Sequence, residues 1–132
     1  MADDGLVTVA SAYTARETME RLLASIKAHN MTVLARIDHA AGAASAGLSL
    51  RPTEVVLFGN PKGGTALMQD RQTAGIDLPL KALIWEDEAG KTRLSYNDPQ
   101  WIAQRHGLGA HSAGPVAAMT KALQEIVAAA TS

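Results

Sequence analysis

The chain has 132 residues, a net charge of -1, 47% hydrophobic and 19% charged residues, and no cysteine. This composition predicts one folded domain over residues 1–132 and excludes disulfides, thiolate catalysis and thiolate metal sites. The balanced charge, without a basic run, argues against nucleic acid binding, and no apolar run reaches the roughly 18 residues of a membrane span. The absence of cysteine and of a basic, apolar leader at residues 1–4 predicts a cytoplasmic protein.

The first elements follow from short local patterns. Leu6–Ser11 is rich in valine and predicts a strand. Thr14 and Glu17 have the spacing of a capping box, in which the hydroxyl accepts from the third helical residue. The helix that follows has one apolar stripe, formed by Met19, Leu22, Leu23 and Ile26. His29-Asn30 is predicted to end it, because asparagine tolerates a left-handed conformation.

Two further strands are predicted on either side of an alanine-rich segment. Met31–Asp38 alternates, which predicts a strand with one well-buried face. That face is formed by Met31, Val33, Ala35 and Ile37. Residues 39–47 are mostly alanine and predict a short helix closed by Gly47. Thr53–Phe58 is nearly continuous in apolar residues, which predicts a central strand covered on both faces.

The next segment contains a capped turn and a hairpin. Asn60 and Pro61 fit the N-cap and the first position of a helix, with Thr65 as the alternative cap because glycines weaken the first turn. This helix is predicted to stop at Gly75. Strands at Leu80–Glu86 and Lys91–Tyr96 are predicted to pair through the loop at residues 87–90.

Two helices are predicted to complete the chain. Asp98-Pro99 caps the first of them, and Gly107 ends it. Gly114-Pro115 is predicted to begin a long helix with a regular apolar stripe. The hairpin and the incomplete alternation of strands and helices favour the α+β class over a doubly wound parallel sheet.

Several motifs along the chain occur together. They are Asp38-His39-Ala40, Phe58-Gly59-Asn60-Pro61-Lys62, Gly64-Thr65, Leu67-Met68, Asp77-Leu78-Pro79-Leu80, Trp85-Glu86-Asp87, Gly90 and Tyr96-Asn97-Asp98-Pro99. In this combination the chain resembles the domain of unknown function family 302 over nearly its whole length. The resemblance implies a fold like the TATA-box-binding-protein class. That fold has the order β-α-β4-α, with an antiparallel sheet of about five strands, helices on one face and short inserted helices. The resemblance also suggests a homodimer, and it assigns no catalytic residue.

The glycine-rich turn is the first candidate site. Asn60, Lys62, Gly63, Gly64 and Thr65 would let backbone N–H groups and one ammonium approach a small anionic ligand. The spacing does not match a Walker phosphate loop. The same residues also fit a capped strand-to-helix turn that needs glycine for its geometry alone.

His39 and Asp38 form the second candidate site, in which His39 would act as a general base. The alternative is a histidine that orders the end of the strand. A metal site would require His39, His106 and Asp38 to converge from three segments, and His106 and His111 lack the spacing of a zinc pair on one helix. No cofactor motif is present, and no metal site is assigned.

Three functions remain open from the sequence. The first is a small soluble dimeric module that binds a ligand or a partner in a groove between sheet and helices. The second is an enzyme that acts on a small anionic compound, with His39 as base, assisted by Asp38, Asn60 or Lys62. The third is a metal-binding protein. The enzyme hypothesis requires His39 to lie in a concave pocket with Asn60 or Lys62 within reach of a common ligand.

Overall fold

A computed structural model describes residues 4–132 and shows a five-stranded antiparallel sheet, five α-helices and one 3-10 helix in that range. The strands are β1 (Leu6–Ala10), β2 (Thr32–Asp38), β3 (Thr53–Gly59), β4 (Leu80–Glu86) and β5 (Thr92–Asn97). The α-helices are α1 (Ala15–Ala28), α2 (His39–Ser45), α3 (Pro61–Asp70), α4 (Pro99–His106) and α5 (Ala110–Thr131). The 3-10 helix spans Gln72–Ile76. The predicted α+β class, the strand count and the β-α-β4-α order are confirmed.

The strands lie in the order β1-β5-β4-β3-β2, and each neighbouring pair is antiparallel. One face of the sheet packs against α1 and α5, which also pack against each other. The core between these layers is aliphatic. Its fully buried large side chains include Leu22, Ile26, Phe58, Leu94 and Leu123.

Helix starts follow the local signals closely. The Thr14 hydroxyl accepts from the N–H of Glu17 at 3.1 Å, and the Asn60 carbonyl oxygen Oδ1 accepts from the N–H of Lys62 at 3.0 Å. The Asp98 carboxylate accepts from the N–H of Gln100 at 2.9 Å. The three predicted caps are confirmed, and α3 begins at Asn60-Pro61 rather than at the alternative cap.

The predicted buried face of β2 is wrong. β2 lies at the edge of the sheet, and Val33 and Ile37 remain 37% and 45% exposed. A bulge between Val33 and Ala35 also shifts the register of its pairing with β3. The apolar alternation correctly identified a strand, but burial depends on its place in the sheet. The helices cover the middle strands and leave this edge largely open.

The prediction that β3 is covered on both faces is wrong for one face. Val56 and Phe58 are fully buried under the helices. Val55 and Leu57 point to the opposite side and are only partly buried. β3 lies second from the edge of the sheet, and its apolar run is fully buried on one side alone.

The long helix α5 starts earlier than predicted, at Ala110 rather than at Gly114-Pro115. Its N-cap residue, Gly109, has no side chain to cap the helix. The carboxylate of Asp70, the last residue of α3, serves instead and accepts from the N–H of Gly109 at 2.8 Å and from the hydroxyl of Ser112 at 2.7 Å. These hydrogen bonds hold the pKa of Asp70 below its ordinary value, and the bond from Ser112 has the largest effect.

Candidate functional site

A groove of about 760 Å³ opens beside the first turn of α3. We call it the α3 groove. Its walls come from the start of β2, the first half of α3, the segment at residues 78–80 and the middle of α5. The volume lies within the range of roughly 300–1,000 Å³ that is typical of small-molecule sites.

All five ligand residues predicted from the glycine-rich turn line the α3 groove. These residues are Asn60, Lys62, Gly63, Gly64 and Thr65. Asn60 is engaged in capping the helix, so Lys62 and Thr65 are the polar side chains of this turn that remain available to a ligand. The turn therefore caps α3 and also forms the rim of a concave surface.

The rest of the lining, which borders this turn, is largely apolar, and the sequence did not indicate it. Met31, Met68 and Met119 come from three separate segments of the chain. They line the groove together with Leu78 and Leu80. The methyl group of Met119 approaches the backbone of Gly63 so closely that a Cβ placed there would lie 3.1 Å from it. Gly63 thus lies where α3 packs closely against α5, and a side chain there would require Met119 to shift.

The structure does not bring His39 and Asp38 to this groove. Asp38 pairs with Glu54 at the start of β3, whereas Asn60 follows the end of the same strand. At about 3.3 Å per residue the two positions lie roughly 20 Å apart. Asp38 accepts from the N–H of Ala41 and caps α2, and His39 is exposed at the first position of that helix. The predicted convergence of His39 with Asn60 and Lys62 is therefore not formed.

A second cavity, of about 510 Å³, lies between α1, β2 and β3. Asp38 lines it, together with Glu54 and Arg36, which form an ion pair with an N–O distance of 3.0 Å. His39 is absent from its lining. The cavity therefore contains a carboxylate predicted as catalytic but lacks the base that was expected beside it.

One polar cluster was not found from the sequence. The His106 side chain is 6% exposed, and its ring nitrogens lie 2.6 Å from the Asp77 carboxylate and 3.0 Å from the Thr73 hydroxyl. Arg105 donates to both oxygens of the same carboxylate. These contacts tie the 3-10 helix region to α4. None of the three residues Thr73, Asp77 and His106 lines the α3 groove or the second cavity, and we call this group the Asp77 cluster.

The three residues of the hypothetical metal site are dispersed. His106 belongs to the Asp77 cluster, while His39 and Asp38 lie at the start of α2. Within residues 4–132 no group of three histidine or acidic side chains is arranged to hold a metal ion. In the same range, no helix combines the length and the apolar character needed to cross a membrane.

Known proteins provide three points of comparison. The sequence model of the family described as "Domain of unknown function DUF302" matches residues 7–130. A crystal structure of an uncharacterized conserved protein DUF302 from Bacillus stearothermophilus superposes with a TM-score of 0.85. It is 21% identical in sequence and covers 96% of this chain and 98% of that one. This likeness confirms the fold.

Two curated relatives are named "Fluoride-specific ion channel FluC 1", from Brucella suis biovar 1 (strain 1330) and Brucella abortus biovar 1 (strain 9-941). Each is 55% identical over 117 residues, which is 89% of this chain. The matched region is 46% of the first protein and 43% of the second. The chain therefore spans less than half the length of these relatives.

Proposed function

The chain belongs to the DUF302 family, and we propose that it is a binding module whose ligand occupies the α3 groove. The observation that carries this proposal is that all five predicted ligand residues line one groove of about 760 Å³. Its largely apolar walls with few polar groups are typical of small-molecule sites.

Binding is favoured over catalysis by the chemistry of the lining. No histidine and no carboxylate is among the described residues that form the α3 groove. General acid–base catalysis needs such a group within hydrogen-bond reach of the substrate. His39 and Asp38 lie near the other end of β3, so they support an enzyme only if its substrate binds elsewhere.

A groove-filling variant tests this proposal. Ala118→Trp places a large ring in the α3 groove, because Ala118 is an exposed residue of α5 that lines it. We expect its affinity for Nile red, a neutral apolar dye, to fall at least about tenfold in fluorescence titrations, which corresponds to roughly 1.4 kcal/mol. Ala128→Trp, at an exposed position further along α5 and outside the groove, is the matched control.

Unchanged dye affinity in Ala118→Trp would contradict the proposal, as would an equal loss in both variants. Circular dichroism spectra and melting curves of both proteins establish that each variant is folded. The comparison therefore separates a blocked groove from a damaged structure.

The curated relatives suggest a second candidate function, a module that works beside a fluoride channel. Because the match covers less than half of each relative, we propose that the shared module is separate from the pore of those proteins. If the module senses the ion, sodium fluoride should raise its melting temperature more than sodium chloride at equal ionic strength. Equal melting temperatures in the two salts would contradict a role of the module as a fluoride sensor.

A further inference from the structure

We infer that the α3 groove takes a free single-chain amphipathic anion, with its head group beside Lys62 and its apolar chain along the methionine side chains of the lining. This inference rests on the proposed binding function of the groove and adds the chemical class of the ligand. It follows from two features of the lining, which are its methionine side chains and its charge.

The methionine side chains of the lining suit a flexible apolar chain. Met31, just before β2, lines one groove with Met68 of α3 and Met119 of α5. Methionine is unbranched and polarizable, so it adapts to irregular partners and is common on surfaces that accept variable apolar ligands. Met119 is 8% exposed and Met68 is partly buried against the core. These side chains are therefore anchored in the protein and present their remaining surface to the groove.

The charge of the groove indicates the sign of the head group. Lys62 is the only charged residue among the described residues that line it. Lys62 is exposed, and it takes part in none of the ion pairs described for residues 4–132. With no carboxylate in the lining to compensate it, this ammonium complements one anionic group. The second cavity differs, because three carboxylates and two guanidinium groups line it.

Three probes with the same chain and different head groups test the ligand class. They are dodecanoate, dodecanol and dodecylammonium, each used below its micelle concentration at pH 7 to displace Nile red. We expect dodecanoate to bind best and dodecylammonium worst. Lys62→Gln should weaken dodecanoate by about two- to fivefold, the size of an exposed ion pair, and leave dodecanol unchanged. Lys121→Gln, on the exposed surface of α5 outside the groove, should change neither.

Equal affinities for the three probes would overturn the anionic class while leaving the groove as a binding site. Unchanged dodecanoate affinity in Lys62→Gln would also overturn it. Failure of the proposed function would instead appear as Nile red binding that Ala118→Trp does not affect. The last experiment mixes the protein with phosphatidylglycerol vesicles. We expect the protein not to sediment with them. Co-sedimentation that depends on Lys62 would overturn the assignment to a free amphipathic anion in favour of a membrane lipid.

Discussion

Gly5→Ala is expected to lower the free energy of unfolding by about 2–5 kcal/mol. Gly5 is buried at the start of β1 and has a φ of +77°, where a side chain is strained. A Cβ there would also overlap Cγ of Trp101, so the indole would have to move. The backbone oxygen of Gly5 accepts from the N–H of Asp98 at 2.8 Å. Displacing it would disturb the start of α4 as well.

Gly107→Ala is the matched control for this substitution. Gly107 ends α4 with a φ of +64°, and no atom lies within 4 Å of a Cβ placed there. It should therefore show the backbone strain alone, about 1–2 kcal/mol. Urea unfolding followed by circular dichroism measures both variants. If Gly5→Ala proves no more destabilising than Gly107→Ala, the steric role of Trp101 is refuted.

Asp70→Asn is expected to destabilise the protein at neutral pH and to lose this effect in acid. The Asp70 carboxylate caps the 22-residue helix α5 through Gly109 and Ser112, and Ser112 is fully buried. The amide of asparagine accepts these hydrogen bonds without a negative charge, which weakens both the bonds and the favourable interaction with the helix dipole.

The direction of the pH dependence follows from the pKa of Asp70. This pKa is lower in the folded protein than its ordinary value of 3.8, so the unfolded chain binds the proton more readily. The contribution of the carboxylate is therefore fully present above the unfolded pKa. It is lost as the pH falls through the folded pKa.

Urea midpoints at pH 7 and pH 3 measure this contribution. The difference between wild type and Asp70→Asn should be clear at pH 7 and should shrink at pH 3. Glu88→Gln removes an exposed carboxylate in the β4–β5 loop and serves as the control, with little effect at either pH. A difference between wild type and Asp70→Asn that does not change with pH would contradict the role of the charge.

Local signals predicted the helix starts well because each cap acts over three or four residues. Thr14, Asn60 and Asp98 each accept a hydrogen bond from a residue two or three positions later. The start of α5 was missed because its cap, Asp70, comes from another helix. No local pattern connects residue 70 with residue 109.

Burial was harder to predict than secondary structure. The alternation in Met31–Asp38 is the same whether a strand lies in the middle of a sheet or at its edge, and only the strand order shows that β2 is an edge. The separation of His39 from Asn60 was predictable in principle. Antiparallel pairing of β2 with β3 places the end of one strand beside the start of the other.

The candidate site was predicted in part. Its rim is a run of consecutive residues from Asn60 to Thr65, whose shared location follows from their order in the chain. The apolar wall depends on packing among β2, α3 and α5, and nothing in the sequence connects Met31 with Met119. The homodimer, the cytoplasmic location and the catalytic role of His39 stay predictions.

The position of β1 in the sheet affects how the chain folds. β4 and β5 pair across a short loop, whereas β1 pairs with β5 and places Leu6 opposite Asn97. This last pairing closes a loop that includes most of the chain, and its entropic cost must be met before its contacts can stabilise the sheet. Such long-range closure slows folding more than it lowers stability. We therefore expect local pairing of β4 with β5 to form early and the long-range pairing of β1 with β5 to form late.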